Sequence, residues 1–174
     1  MKIFQSVVSF LILSFILSGW TEVRAQSIPY KEEITLSVSA RIVASSPIDI
    51  ITLQNMTVQG VNPQNNLIYI SPISSPNAGL LQINAEPYSN VRIKYVMEET
   101  LLDVDGNSSL TVEYELSINT LRDQGSSTPV FVGEVDLLFD ESGTYFLWLG
   151  GKIDIENAES GSFTGQFTFE IEYI

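Results

Sequence analysis

In the stretch GSFTGQFTFEIEYI, Phe163, Phe167, Phe169, Ile171 and Tyr173 fall at alternate positions, with Gln166, Glu170 and Glu172 between them. Neighbouring side chains on an extended backbone point to opposite faces, so a period of two gathers the apolar groups on one side. A helix would scatter that stripe around its circumference, and only a β-sheet can bury it. The same period recurs along the chain. ITLSVSARI sets Ile34, Leu36, Val38, Ala40 and Ile42 against Thr35, Ser37, Ser39 and Arg41, and NVRIKY sets Val91, Ile93 and Tyr95 against Arg92 and Lys94. LTVEYELSI places Leu110, Val112, Tyr114, Leu116 and Ile118 on one face. Beyond the first 25 residues no window sustains a helical period of 3.6.

Further extended runs are IDIITLQNMTV, NLIYIS, AGLLQINA, VFVGEVDLLF and TYFLWLGGKIDI, separated by turn residues such as SSP, SPISSPN and DVDGNSS. About nine short strands punctuated in this way predict an all-β fold, an antiparallel immunoglobulin-like β-sandwich. DVDGNSS reads as a hairpin turn between TLLD and LTVEYEL. Gly150-Gly151 reads as a bulge or kink, since no helix follows to make it a phosphate loop.

The N-terminal 25 residues have the pattern of a secretory signal peptide. Lys2 supplies the positive end, residues 7–17 an apolar run, and Val23 and Ala25 the small or aliphatic positions before cleavage ahead of Gln26. The run falls short of the roughly 20 residues of a spanning helix. The expectation is therefore an exported protein of the periplasm, cell surface or extracellular space, with residues 26–174 forming a single domain and no membrane span after cleavage. The chain has no cysteine, so this domain must hold by packing without disulfides. The net charge of the whole chain is −13, and loss of Lys2, Glu22 and Arg24 leaves the remainder more acidic. Such a surface repels phosphate backbones and anionic lipid, which argues against nucleic-acid and membrane-surface partners.

Little in the sequence points to catalysis. Without histidine or cysteine, the usual triads, thiol nucleophiles and histidine-ligated metals are excluded. Lys31, Lys94 and Lys152 read as solvent-facing. Glu134 and Asp136 project from one face of a strand and resemble the Glu-x-Asp core of some β-sandwich glycosidases, but Leu138 and Phe139 stand where a further acid is needed. Asp103, Asp105 and Asn107 alternate as a calcium loop begins, yet Ser108 and Tyr114 occupy the positions of the glycine and the closing glutamate. Asp103 and Asp105 remain weak calcium candidates, with no cofactor and no other metal expected. Trp148 reads either as core or as a platform for stacking a sugar.

The motifs together resemble a family of uncharacterised exported bacterial domains with a pilin-like, immunoglobulin-type sandwich. The residues that carry the resemblance are the alternating first strand, LLQINAEPYSNVRIKY, GTYFLWLGGKIDI and the closing GSFTGQFTFEIEYI. The last strand is also similar to that of chaperone–usher pilus subunits, which place an aromatic in the penultimate position and a glycine fourteenth from the end, as Tyr173 and Gly161 stand here. The disulfide common in such pilins has no counterpart in this sequence, and only about eight residues precede Ile34 for a free donor extension. The resemblance implies a noncatalytic structural or assembly subunit of the bacterial surface, acting through β-strand addition. Its pairing residues would be Ile34, Leu36 and Val38 with Phe163, Phe167, Phe169, Ile171 and Tyr173. Its partners would be further copies, other surface or pilus subunits, and a periplasmic chaperone. The alternative is a stable monomeric module that recognises a glycan or protein, with Trp148 in its site.

Overall fold

The computed structural model describes residues 35–38, 48–103, 108–156, 158 and 163–174, all within one compact unit of the chain. The expected signal segment, Lys31, Ile34, Ile42, Asp105 and Gly161 lie outside the described residues. Within them are twelve strands: β1 (Thr35–Val38), β2 (Asp49–Gln54), β3 (Leu67–Ile70), β4 (Gly79–Asn84), β5 (Asn90–Tyr95), β6 (Glu98–Leu102), β7 (Ser109–Asn119), β8 (Thr128–Val130), β9 (Glu134–Leu138), β10 (Thr144–Asp154), β11 (Thr164–Phe167) and β12 (Phe169–Tyr173). A single 3-10 turn, Gln124–Ser126, joins them.

The fold is an all-β sandwich. In one sheet β2, β4, β10, β7 and β6 lie side by side, with β3 against the second half of β10 and β8 against the second half of β7. The other sheet has the order β12-β5-β9, and β11 leads into β12 across Thr168. All of these pairs are antiparallel except one: β1 runs parallel to β11. A parallel pair needs a long crossover, and here the whole domain separates the two strands.

Three more strands form than the alternation predicts. VFVGEVDLLF divides because its first residue, Val130, ends β8 against β7, whereas Glu134–Leu138 form β9 against β5; Thr128 and Pro129 of the preceding loop supply the rest of β8. The closing run divides at Thr168, and the acidic segment EETLL, whose composition masks its period, forms β6 against β7. That hairpin closes with the Asp103 amide donating to the Ser108 carbonyl at 3.0 Å.

The core lies where the inward faces meet. Leu110, Val112, Tyr114 and Leu116 of β7 are buried together with Leu147, Leu149 and Ile153 of β10, Leu81 and Ile83 of β4, and Val91 and Ile93 of β5. Phe167, Phe169 and Ile171 complete it. Each such side chain contributes about 1.5–3 kcal/mol through removal from water.

The Gly150-Gly151 pair departs from its expected role. The β7–β10 register runs unbroken from Phe146 opposite Asn119 to Asp154 opposite Thr111, so the pair makes no bulge. It marks the point where β10 exchanges one neighbour for another, β4 up to Leu149 and β3 from Gly151. The chain leaving β3 crosses directly over Gly150, and a β-carbon there would stand 2.2 Å from the Ile70 carbonyl oxygen. Close backbone approach, not a change in strand direction, selects glycine.

Two turns place residues other than glycine in the left-handed region. Asn65 and Asn66 have φ of 52° and 63°, and Gln64 and Leu67 exchange both backbone hydrogen bonds around them, as a two-residue hairpin of the primed type requires. In the turn Glu86-Pro87-Tyr88-Ser89, the Ser89 amide donates to the Glu86 carbonyl at 3.2 Å and Tyr88 has φ of 62°. Proline followed by a positive φ is a type II turn, in which glycine is favoured at the second central position. Tyr88 is 70% exposed, so its ring returns little for the strained backbone. Tyr88→Gly is expected to raise stability by about 0.5–1 kcal/mol, measurable as a higher denaturant midpoint; a lower midpoint would show that the ring packs.

Candidate functional site

The strand-pairing residues come first. The β1–β11 register sets Leu36 opposite Gly165 and Val38 opposite Phe167, so the two segments singled out by alternation are joined within one chain. Phe163, which bridges to Asp103, is buried, as are Phe167, Phe169 and Ile171. Tyr173 is half-buried and its hydroxyl oxygen accepts the Glu86 amide at 3.2 Å. The apolar stripe of the last strand is thus consumed by the domain's own core. What the edge of this closing segment offers to a partner is backbone: β1 pairs with the four residues of β11, and β12 stands at the edge of its sheet beside β5.

The carboxylates of β9 sit on the outer face of the second sheet. Arg92, opposite Asp136 on β5, donates to both Asp136 oxygens at 2.7 and 2.9 Å, and its Nε lies 3.2 Å from Glu134. The guanidinium hydrogen bonds hold Asp136 below the usual carboxylate range. A general acid needs the opposite shift, so this pair is arranged as an ion-paired ladder, which Lys94 and Glu172 continue at 3.1 Å. Asp103 directs Oδ1 at the Ser108 amide, 3.1 Å away, closing the β6–β7 turn. Among the described residues no group of three or more acidic side chains is placed to hold a metal.

Trp148 stands on the outer face of the first sheet, between Leu80 on β4 and Ser117 on β7. An outer face would normally be wet, yet Trp148 is only 4% exposed. Two connections cover it, residues 71–78 and 120–127. Pro72 anchors both: its carbonyl accepts the buried Ser117 hydroxyl at 3.0 Å and the Gln124 side-chain amide at 3.0 Å. Gln124 donates its second N–H to the Ser75 carbonyl, also at 3.0 Å. The 3-10 turn that carries Gln124 is capped by Asp123, which accepts the Gly125 amide and the Ser126 hydroxyl. From the other side, Gln54 at the end of β2 donates to the Pro76 and Ala78 carbonyls, each at 2.7 Å.

Between these clamps lies a cleft of about 300 Å³ lined by Gln54, Pro76, Ala78, Leu80, Arg122, Gln124 and Trp148. With so little of its ring exposed, Trp148 is a core residue that also lines this cleft. Arg122 forms no ion pair among the described residues, whereas Arg92, Lys94 and Lys152 each hold a carboxylate. Alternation could not find Gln54, Arg122 or Gln124, since two of them sit in a connection. The one available signal was an arginine in a polar loop of a strongly acidic chain.

No protein-family model matches this chain, and no curated protein matches it either. Among the described residues no helix is long and apolar enough to cross a membrane.

Proposed function

We propose that this protein is a noncatalytic exported subunit of the bacterial surface, pilin-like, that assembles through β-strand pairing. The observation that carries the reading is the β1–β11 pair. A four-residue parallel strand pairs with β11 in a two-stranded sheet, and the other described strands except β12 lie between the two in sequence. Parallel pairing is the slightly weaker kind per residue, and a short terminal element is the sort that copies of a chain exchange at low cost. The ion pairing of Glu134 and Asp136 with Arg92 and the lack of histidine and cysteine favour a role without catalysis.

Light scattering on residues 26–174, with a thermal melt alongside, tests this. Oligomers resistant to heat and detergent are expected. Removal of residues 26–44 is expected to abolish assembly while leaving a folded domain. A monomer with one cooperative melt, unfolded by the same deletion, would overturn the reading in favour of a second one. In that second reading the chain is a self-contained binding module for a glycan or protein. The clamped cleft beside Trp148 is the feature that favours it.

A further inference from the structure

We infer that the cleft beside Trp148 is a binding site for a small hydroxylated carboxylate, the chemistry of an acidic sugar residue. The inference is independent of strand pairing, and either can fail alone.

The argument begins with the two glutamines. A primary amide has two N–H donors and one carbonyl oxygen. Gln54 directs both donors at carbonyls, those of Pro76 and Ala78. Gln124 does the same with Pro72 and Ser75. Carbonyl oxygens can only accept, so neither amide can be flipped. Each Oε1 is therefore fixed in position, and neither has a partner among the described residues. Two immobilised acceptors on residues that line one cleft can take the hydroxyl donors of a ligand in place of water.

The third polar group is Arg122. Every other cation among the described residues is engaged by a carboxylate, while Arg122 lines the cleft and its guanidinium is left without an ion pair. Its planar fork matches a carboxylate in bidentate fashion. A singly charged anion suits the surroundings better than a phosphate, because a chain of net charge −13 repels the second charge.

Two further features narrow the class. Among the described residues the lining contains no aspartate or glutamate, so an amino acid's ammonium would find no counter-ion there and would stand near Arg122. Neutral hydroxyls satisfy the glutamine oxygens without that conflict. Pro76, Ala78, Leu80 and the accessible edge of Trp148 supply an apolar wall for the C–H face of a ring. The volume, about 300 Å³, lies at the small end of ligand pockets and suits one residue. A free sugar acid and the acidic terminus of a glycan share this chemistry.

The test is a titration of the purified protein with glucuronate, followed by the side-chain amide resonances of Gln54 and Gln124 and the Trp148 indole N–H. Glucose and alanine serve as comparators, and a glucuronate-terminated oligosaccharide distinguishes the glycan from the free sugar. Saturable shifts at these three side chains are expected with glucuronate, at an affinity at least tenfold above that for glucose and alanine. Tighter binding of the oligosaccharide would assign the site to a glycan end, and equal binding to the sugar acid itself; either supports the site. Arg122→Gln, which breaks no side-chain hydrogen bond or ion pair among the described residues, should keep the melting temperature and weaken glucuronate binding about tenfold to a hundredfold. Equal response to glucose, an unchanged affinity in Arg122→Gln, or shifts confined to other residues would overturn the assignment, and so would no response at millimolar glucuronate.

Discussion

Replacing Phe167 by alanine is expected to lower the unfolding free energy by about 3–5 kcal/mol and the melting temperature by roughly 10–15 °C. The magnitude follows from where the ring sits. Phe167 is 1% exposed and lies at the junction of both sheets with the β1–β11 pair. Its centroid is 4.8 Å from that of Tyr114 on β7, in an edge-on arrangement, 5.9 Å from Tyr95 on β5 and 5.6 Å from Phe169 on β12. Truncation removes the transfer energy of the ring, leaves a cavity and disrupts three aromatic contacts, each worth about 0.5–1.5 kcal/mol beyond area. Phe131 is the control: it is 84% exposed, and its alanine variant should stay within about 0.5 kcal/mol of the parent. A loss below about 1 kcal/mol in Phe167→Ala would mean that the last strand does not pack into this core.

Gly150→Ala carries the second large effect, a loss of about 3 kcal/mol. The added β-carbon would stand 2.2 Å from the Ile70 carbonyl oxygen, 2.7 Å from the Pro72 nitrogen and 2.8 Å from its ring. None of these is the movable end of a side chain. Relief would require shifting the segment that leaves β3, and with it the Pro72 carbonyl that anchors Ser117 and Gln124. The variant should therefore disturb the cleft as well as the stability. Gly125→Ala is the matched comparison, since its nearest contact would be an ordinary 3.7 Å, and it should leave the denaturant midpoint unchanged. A cost under about 0.5 kcal/mol for Gly150→Ala would show that the crossing backbone yields readily and that the glycine marks a loose kink.

The two variants divide what could be read in advance from what could not. Phe167 was legible. The apolar stripe of the closing strand, that of LTVEYEL and that of NVRIKY all face the core, because side-chain direction along a strand is a local property repeating every two residues. The same periodicity announced an all-β sandwich, and the turn residues announced the hairpin at Asp103. Gly150 was misread, since the need for glycine there comes from a segment about eighty residues earlier in the chain lying across it.

Partner choice has the same character. Alternation states that β1 and β11 are strands but carries no information on which strands adjoin or in which direction, so their parallel pairing emerged only with the assembled domain. It likewise gave no reason for Thr128–Val130 to join one sheet and Glu134–Leu138 the other. The cleft is the furthest from local rules. Gln54, Arg122 and Gln124 are ordinary polar residues in the chain, and they become a site because two connections fold over an outer sheet face and lock their amides. Local periodicity fixes which face of a strand is apolar. Long-range closure of the chain fixes what that face meets and which polar groups are left with bonding capacity to spare.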